Sequence, residues 1–292
     1  MNSSHFVFFG TPLFAVHVLD ALERHGILPA LIVTAPDRPA GRGRTLTPPP
    51  AKEWALERGI DVLQPLSLKQ EEVPPELLNS EWDLFLVAAY GKIIPKHVLD
   101  IPQKGTLNVH PSLLPHFRGP SPALSAILAD ERRTGISIML LDEEMDHGPV
   151  LAQASIEIPE EDWPPKGSVL EELLATEGGN LLAETIPLWI AGNLTPEEQD
   201  HAQATYTKKF KDEDARIDLA RDPRENFLKI RAFDTSPRAY MLVNGKRVLI
   251  TEAEFSDGTL RIIRVIPEGK REMAYEDFSR NRPGIDSNDQ LG

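Results

Sequence analysis

The stretch HFVFFGTPLFAVHVLDALERHGILPALIVTA, residues 5–35, decides the fold that we expect for this chain. It opens with an apolar run over residues 5–10, which the sequence Gly-Thr-Pro closes. Apolar residues then recur at helical spacing, and a second apolar run follows over residues 27–35. Strands that are apolar on consecutive residues are typical of a parallel sheet covered on both faces. The stretch therefore predicts a β-α-β unit, the opening of a doubly wound α/β fold.

The rest of residues 1–191 continues this alternation. Apolar periodicity predicts further strands over residues 83–89, 106–110, 135–141 and 150–158, and helices over residues 51–59, 121–129 and 168–191. A loop rich in Pro, Gly and Arg, residues 36–50, interrupts the pattern. We therefore expect residues 1–191 to form one α/β domain.

Residues 192–207 are polar and have the composition of a linker. Beyond them the pattern predicts a helix over residues 226–233 and strands over residues 240–243, 247–255 and 260–266. The dipeptides Asn244-Gly245 and Asp257-Gly258 separate these strands, and both are strong signals for tight hairpins. Residues 208–292 are therefore expected to form a small β domain, either a meander or a partial barrel.

Composition excludes several classes of protein. The 292 residues contain no cysteine, which removes disulfides, thiolate zinc sites and cysteine nucleophiles. No apolar run approaches the length of a membrane span, and no secretion signal is visible, so we expect a cytoplasmic protein. The net charge is −14, with 14 basic and 29 acidic residues in residues 1–205. A general nucleic-acid binder would be basic, so any contact with RNA must be local.

Two polar side chains end one of the central strands. Asn108 and His110 lie two residues apart on the predicted strand 106–110, so both point to the same face. Ligands of open α/β sheets bind outside the carboxyl ends of the strands. A lone histidine on a strand is more often a surface or core residue, so His110 needs further support. The GxGxxG turn of dinucleotide-binding domains is absent after the first strand, which argues against a nicotinamide cofactor.

That support comes from the acidic turn LDEEMDHGP, residues 141–149. A carboxylate beside an imidazole favours the imidazolium, and such a pair can move a proton. Asp146 stands out because Gly148 indicates a tight turn and Met145 an inward-facing neighbour. The alternative is an ordinary solvated acidic loop.

Metal and covalent chemistry fit the sequence less well. The candidate metal ligands match no known ligand spacing; they are His97, His110, His116, Asp146 and His147. Ser112 lacks the GxSxG elbow of a nucleophilic serine. We therefore predict no metal and no covalent intermediate.

A basic island lies in the loop after the second strand. Between residues 36 and 52 there are four cations and one acid; the cations are Arg38, Arg42, Arg44 and Lys52. Such an island suits a local phosphate contact. A flexible solvated loop is the alternative, although the prolines around it favour a shaped element.

With these residues in place, the sequence resembles the methionyl-tRNA formyltransferases, which belong to the folate-dependent formyltransferases. The matching stretches are FFGTPLFA at 8–15, PDRPAGRGRTLTPPPAK at 36–52, QPLSL at 64–68, AAYGKIIP at 88–95, LNVHPSLLPHFRGPSP at 107–122, TGISIMLLDEEMDHGPVL at 134–151, TYTKKFKDEDARID at 205–218 and RAFDTSPRAY at 231–240. The resemblance implies a Rossmann-like domain with a parallel-rich sheet, then a linker and a small OB-like domain. It also implies 10-formyltetrahydrofolate as formyl donor and methionyl initiator tRNA as acceptor.

The resemblance assigns roles by position. It implies that Asn108, His110 and Asp146 form the catalytic trio, with Asn108 and a protonated His110 stabilising an oxyanion and Asp146 assisting proton transfer. The implied folate-binding residues are Ser112, Leu113, Leu114, Pro115, Val87, Ala88, Ala89, Tyr90, Gly91 and Lys92. The implied tRNA-binding residues are Arg38, Arg42, Arg44, Lys52, Lys208, Lys209 and Lys211.

Two features depart from the family. The segment between Val243 and Glu268 is short for an OB-like domain, so we expect a truncated barrel. Residues 206–292 carry 17 basic and 16 acidic residues, which predicts few phosphate contacts and a shallow salt dependence of tRNA binding. The alternatives are a formyltransferase for an amino sugar, a 10-formyltetrahydrofolate hydrolase and a non-catalytic RNA or folate-binding module. We expect a monomer.

Overall fold

The computed structural model describes residues 5–40 and 45–280. The strands of the described residues are, in chain order, β1 (Phe6–Gly10), β2 (Leu31–Val33), β3 (Arg38–Ala40), β4 (Thr45–Thr47), β5 (Asp61–Leu63), β6 (Leu84–Ala88), β7 (Thr106–His110), β8 (Arg133–Leu140), β9 (Val150–Glu157), β10 (Tyr240–Val243), β11 (Lys246–Ser256), β12 (Thr259–Pro267) and β13 (Met273–Ala274). The α-helices are α1 (Leu13–Arg24), α2 (Pro50–Glu57), α3 (Pro75–Leu78), α4 (Lys96–Leu99), α5 (Pro122–Leu128), α6 (Gly167–Ile190), α7 (Pro223–Ala232) and α8 (Tyr275–Ser279).

These elements form two compact units whose bounds differ from the expected ones. The first unit combines the residues up to Gly119 with Thr134–Ile156 and Glu171–Tyr206. The second combines Pro120–Arg133 and Glu157–Leu170 with the residues from Thr207 onward. Residues 192–206 therefore group with the α/β unit, whereas residues 1–191 and 192–207 were expected to form a domain and a separate linker. Helix α5 joins the second unit because it packs against α7.

The first unit is built on a seven-stranded sheet in the order β5-β2-β1-β6-β7-β8-β9. The strands from β5 to β7 are parallel, and β8 runs antiparallel to β7. All five residues of β1 and of β6 are buried, because both faces of the sheet are covered. The Rossmann-like fold with a parallel-rich sheet is thus confirmed.

Helix α6 lies close to the strand that carries the candidate site. A side chain added at Gly178 would meet Val109 Cγ1 of β7 at 2.5 Å, and one at Gly179 would meet Val18 O of α1 at 2.7 Å. Only glycine permits so close an approach of the helix to its neighbours. The glycine pair therefore fixes the depth at which α6 packs on the strand.

The expected loop over residues 36–50 contains a two-stranded antiparallel hairpin. Strand β3 pairs with β4, with Arg38 opposite Thr47. All three residues of β4 are exposed, as are Arg38 and Pro39 of β3, so the hairpin leaves no apolar alternation in the sequence. Arg42 and Arg44, two of the expected tRNA-binding residues, lie in residues 41–44, outside the described residues.

The second unit contains a four-stranded antiparallel sheet in the order β10-β11-β12-β13. Asn244 and Gly245 have φ of 51° and 75°, and Asp257 and Gly258 have φ of 50° and 76°. These positive values are those of the tight hairpin turns expected from the two dipeptides. A small β domain is therefore confirmed, with four described strands where an OB fold has five.

Helix α7 covers this sheet by packing on β11 and β12. None of the helices in the described part of the chain is long and apolar enough to cross a membrane.

Candidate active site

The carboxyl ends of three adjacent parallel strands of the first unit, β1, β6 and β7, lie side by side. We call this line of strand ends the carboxyl edge of the sheet. Gly10 at the end of β1 pairs with Ala88 at the end of β6, and Val87 pairs with Asn108 two residues before the end of β7. Thr11 Oγ1 donates to Tyr90 O at 3.0 Å, which ties the segments after β1 and β6 together. The edge is the place where a ligand binds in such a sheet.

Asn108 and His110 are on β7 at this edge and are 9% and 4% exposed. They lie two residues apart on the strand, so both side chains point to the same face of the sheet, as expected. Within the described residues the Asn108 side-chain amide makes no hydrogen bond. Its N–H groups are therefore available to a ligand.

The structure brings Asp146 to His110. The distance from His110 Nδ1 to Asp146 Oδ1 is 3.6 Å, and the Asp146 side chain is 14% exposed. Strand β8 pairs antiparallel with β7, and Leu140 lies opposite Leu107. The turn after Leu140 consequently begins near the amino end of β7 and folds back toward His110. Asp146 has φ of 51°, a left-handed conformation that Asp and Asn tolerate better than most residues.

Backbone groups of the segment after β7 hold both members of the pair. His110 Nε2 lies 3.0 Å from Phe117 O. Since a carbonyl oxygen only accepts, this contact places a proton on Nε2 and leaves Nδ1 as the nitrogen that faces Asp146. Gly119 N donates to Asp146 Oδ2 at 2.6 Å. The remaining carboxylate oxygen, Oδ1, is the one directed at the imidazole.

The two segments that resemble a folate site follow β6 and β7. Ala89 and Gly91 have φ of 49° and 78°, so the chain after β6 turns sharply and leaves both residues exposed. Lys92 Nζ donates to Pro65 O at 2.7 Å and to Leu66 O at 3.1 Å. Burial, followed by the nearby Arg38 charge, lowers the pKa of Lys92. The lysine thus links the turn after β6 to residues 65 and 66.

Within these segments several side chains are committed to the protein itself. Ser112 is buried, and its hydroxyl donates to His116 O at 2.6 Å, which closes the turn containing Leu113, Leu114 and Pro115. The Tyr90 ring is buried, its hydroxyl has no partner among the described residues, and burial raises its pKa to about 12. Val87 and Ala88 are buried in β6. The segments offer backbone rather than side-chain groups at the edge.

Lys52, expected to contact tRNA, is engaged within the protein. Its Nζ donates to both carboxylate oxygens of Asp37 at 2.9 Å and to Gln64 Oε1 at 2.8 Å. Hydrogen bonds from Gln64 and then Lys52 lower the pKa of Asp37. The carboxylate of Asp37 and the amide of Gln64 thus accept all three protons of the Lys52 ammonium, which leaves none for a phosphate. The same contacts join the two ends of the β3–β4 hairpin. Arg38 is exposed on the hairpin.

The three lysines after the predicted linker differ in their partners. Lys208 pairs with Asp214, and hydrogen bonding to Lys208 lowers the pKa of that carboxyl. Lys211 lies 3.8 Å from Glu213. Lys209 is exposed and makes no ion pair or hydrogen bond within the described residues. Of the three, Lys209 is the cation most available to a phosphate.

Sequence reasoning missed two buried polar residues next to the pair. Arg118 is 1% and Gln199 8% exposed, and the Arg118 Nη2 donates to Gln199 Oε1 at 2.7 Å. No local pattern marks either residue, since an isolated arginine and a glutamine in a polar stretch are usually solvated. In the part of the chain that the structure describes, no group of three or more His, Asp or Glu residues could hold a metal ion.

The sequence of the chain is similar to those of known proteins. Residues 4–186 match the family described as formyl transferase. The chain is 46% identical over 247 residues to a methionyl-tRNA formyltransferase of Chloroflexus aggregans, which covers 85% of this chain and 79% of the relative. It is 38% identical over 311 residues to a methionyl-tRNA formyltransferase of Bacillus licheniformis, which covers 98% of this chain and 97% of the relative.

One solved structure with the same fold is HypX from Aquifex aeolicus in complex with tetrahydrofolic acid. It superposes with a TM-score of 0.63 at 17% identity, covering 95% of this chain and 47% of that one. At this identity the likeness shows the fold alone.

Proposed function

The chain belongs to the formyltransferase family and, within it, to the methionyl-tRNA formyltransferases, and from this premise we propose how its residues act. It transfers the formyl group of 10-formyltetrahydrofolate to the α-amino group of methionyl initiator tRNA. The observation that carries the mechanism is the pair of buried His110 and half-buried Asp146, 3.6 Å apart, on the sheet face that also carries the free amide of Asn108.

The reaction needs donors for a developing oxyanion. When the amine nitrogen attacks the formyl carbon, the formyl oxygen becomes negatively charged in a tetrahedral intermediate. The Asn108 amide, which makes no hydrogen bond within the described residues, is the first donor to that oxygen. The second is the proton on His110 Nδ1, which faces Asp146 Oδ1 at 3.6 Å, too far for a short hydrogen bond to hold it there. Each such donor is typically worth about 3 kcal/mol in the transition state.

The reaction also moves protons. The attacking nitrogen loses a proton as its bond to carbon forms, and N10 of tetrahydrofolate gains one as its bond to carbon breaks. Asp146 Oδ1 is the acceptor in reach of His110, and Gly119 N holds the other oxygen. A positioned acid–base group of this kind contributes about 10²- to 10⁴-fold in rate.

We further propose that the folate lies against residues 87–92 and 112–115. These two segments follow neighbouring parallel strands, so both stand at the edge that carries the pair. Ala89 and Gly91 are exposed in a turn with positive φ, and their backbone N–H and C=O groups suit the amide-like edge of a pterin ring. The mechanism assigns no step to a metal.

For the tRNA, we propose two separate contacts: the β3–β4 hairpin of the first unit, which carries Arg38, and the exposed Lys209 of the second unit. Arg42 and Arg44 belong to this proposal by sequence alone. Lys52 acts indirectly, by fixing the base of the hairpin, and Lys208 and Lys211 contribute less because acids already pair with them. With so few free cations we expect a shallow salt dependence. A monomer in the cytoplasm, where charged initiator tRNA is made, completes the proposal.

The test is formyl transfer from 10-formyltetrahydrofolate to methionyl initiator tRNA, with methionyl elongator tRNA, free methionine and a nucleotide-linked amino sugar as parallel acceptors. Strong preference for the initiator supports the proposal. Preference for the amino sugar would move the substrate to the sugar class. Donor consumption without a formylated acceptor would indicate a hydrolase. Arg38→Ala should lower the rate with tRNA and leave hydrolysis of the donor unchanged.

A further inference from the structure

The segment 199–206, which its composition marks as a linker, is fastened to the segment 115–119 that follows β7. Arg118 N donates to Thr205 O at 2.8 Å, and Thr205 N donates to Pro115 O at 3.3 Å. Phe117 N donates to Thr205 Oγ1 at 2.8 Å. Three hydrogen bonds, all made by Thr205, thus join two segments that are more than 80 residues apart in sequence.

The buried Arg118 guanidinium makes this junction rigid. Its Nε and Nη2 donate to Gln199 Oε1 at 3.1 Å and 2.7 Å, and Nη2 lies 2.8 Å from His201 Nδ1. A buried charge is costly unless several hydrogen bonds satisfy it. Within the described residues none of its acceptors is a carboxylate. The arginine therefore depends on segment 199–206 for its place, and that segment depends on the arginine.

Gln199 links Arg118 to the loop that carries Asp146. While its Oε1 accepts from Arg118, its Nε2 donates to Asp146 O at 3.0 Å and to Gly148 O at 2.6 Å. The amide is 8% exposed, so it cannot exchange these partners for water without cost. It fixes the backbone of Asp146, which sits in the left-handed region at φ 51°.

The two neighbours of Arg118 in sequence hold the catalytic pair from the other side. Phe117 O is the partner of His110 Nε2, and Gly119 N is the donor to Asp146 Oδ2. The residue between them is the one that Gln199 anchors. A displacement of Arg118 would therefore move the supports of both His110 and Asp146 at once.

From these contacts we infer that Arg118 and Gln199 are positioning residues for formyl transfer, and that segment 199–206 is a structural brace of the active site. The inference rests on the proposed function. The brace sets the distance between His110 and Asp146, and a misplacement on the order of 1 Å can cost about 10²-fold in rate. Neither residue touches the reacting atoms.

The deciding variant is Gln199→Glu in the 292-residue chain. It keeps an oxygen for Arg118 but places a second oxygen, instead of an N–H, against the carbonyls of Asp146 and Gly148. We expect kcat to fall about 10- to 100-fold, with the KM for the folate and for the tRNA nearly unchanged. The melting temperature should fall, because the two buried hydrogen bonds of Nε2 are lost, so the rates are compared at a temperature where the variant is fully folded. Arg118→Lys should give the same kcat-against-KM split.

The matched control is Arg58→Lys, since Arg58 makes a similar forked contact to Glu23 in the same unit and lies outside the site. It should leave both constants unchanged. If Gln199→Glu fails to fold, Thr205→Val removes the hydrogen bond to Phe117 from an exposed position and should lower kcat about fivefold.

A double variant separates positioning from simple stability. If Gln199 acts through Asp146, then Gln199→Glu added to Asp146→Asn should lower the single-turnover rate no further, because the group it positions is already gone. Multiplicative losses, or a Gln199→Glu variant with wild-type kcat, would overturn the inference. A wild-type protein that fails to formylate methionyl initiator tRNA would instead contradict the proposed function.

Discussion

Asp146→Asn tests the catalytic pair with the least disturbance of the fold. Asparagine has nearly the same volume as aspartate and is also tolerated at positive φ, so the backbone at φ 51° need not change. The amide oxygen can take over the hydrogen bond that Gly119 N donates at 2.6 Å. The NH2 group is then directed at His110 Nδ1, 3.6 Å from the present Oδ1. The variant therefore replaces a proton acceptor by a donor.

The size of the effect follows from these contacts. Loss of a positioned acid–base group should lower kcat about 10²- to 10⁴-fold, which corresponds to about 3 to 5 kcal/mol in the barrier. Stability should change much less, because a neutral hydrogen bond replaces a charge-assisted one at a cost of about 1 kcal/mol. The activity loss should thus exceed the stability loss several times over.

The assay is single-turnover formyl transfer to methionyl initiator tRNA, with thermal unfolding measured on the same samples. Glu144→Gln is the matched control, since it removes the same charge from an exposed position in the same acidic turn. It should keep the wild-type rate. The reasoning would be refuted if Asp146→Asn retained more than about a tenth of the wild-type kcat, or if Glu144→Gln lost as much as Asp146→Asn.

Three further predictions concern other parts of the chain. Lys209→Ala should reduce the slope of log affinity for tRNA against log salt by about 1, whereas Lys208→Ala, which removes a paired cation, should change it less; filter binding across a salt series measures both. Gly148→Ala should destabilise the first unit by about 1 to 3 kcal/mol, because a side chain there would meet Leu140 O at 2.1 Å, and a normal melting temperature would contradict the packing. The hydrogen bond from the Arg224 guanidinium on α7 lowers the pKa of Asp130 from 3.8. The Asp130–Arg224 pair therefore stabilises the fold above pH 3.8 and loses this effect as the pH falls through the lowered pKa. Asp130→Asn should therefore cost about 0.5 kcal/mol at pH 7 and progressively less below pH 3.8 in urea unfolding experiments.

Much of the fold could be predicted because its signals are local. The buried strands β1 and β6 are continuous apolar runs, and both hairpin turns of the second unit carry the dipeptides that positive φ requires. Strand β5 and the β3–β4 hairpin could not be predicted from periodicity. The strands β3, β4 and β5 have only three residues each, and β4 is exposed throughout, so none of them leaves an apolar alternation in the sequence.

The candidate site divides in the same way. Strand alternation alone placed Asn108 and His110 on one face of β7, since side chains of a strand have a fixed period of two. It could not give the distance between His110 and Asp146, which depends on how the turn after β8 folds back. Alternation also could not show that the Lys52 ammonium donates to Asp37 and Gln64, because those partners come from separate segments of the chain.

The sequence by itself determined the α/β class, the order of the main elements, the family and the catalytic residue types. Those properties follow from periodicity, turn chemistry and motifs, which a short window of residues contains. The tertiary structure alone decided which cations remain free, and that residues 199–206 are packed against the site. A buried charge such as that of Arg118 is satisfied by groups more than 80 residues away in sequence, and only the folded chain brings them within hydrogen-bonding distance.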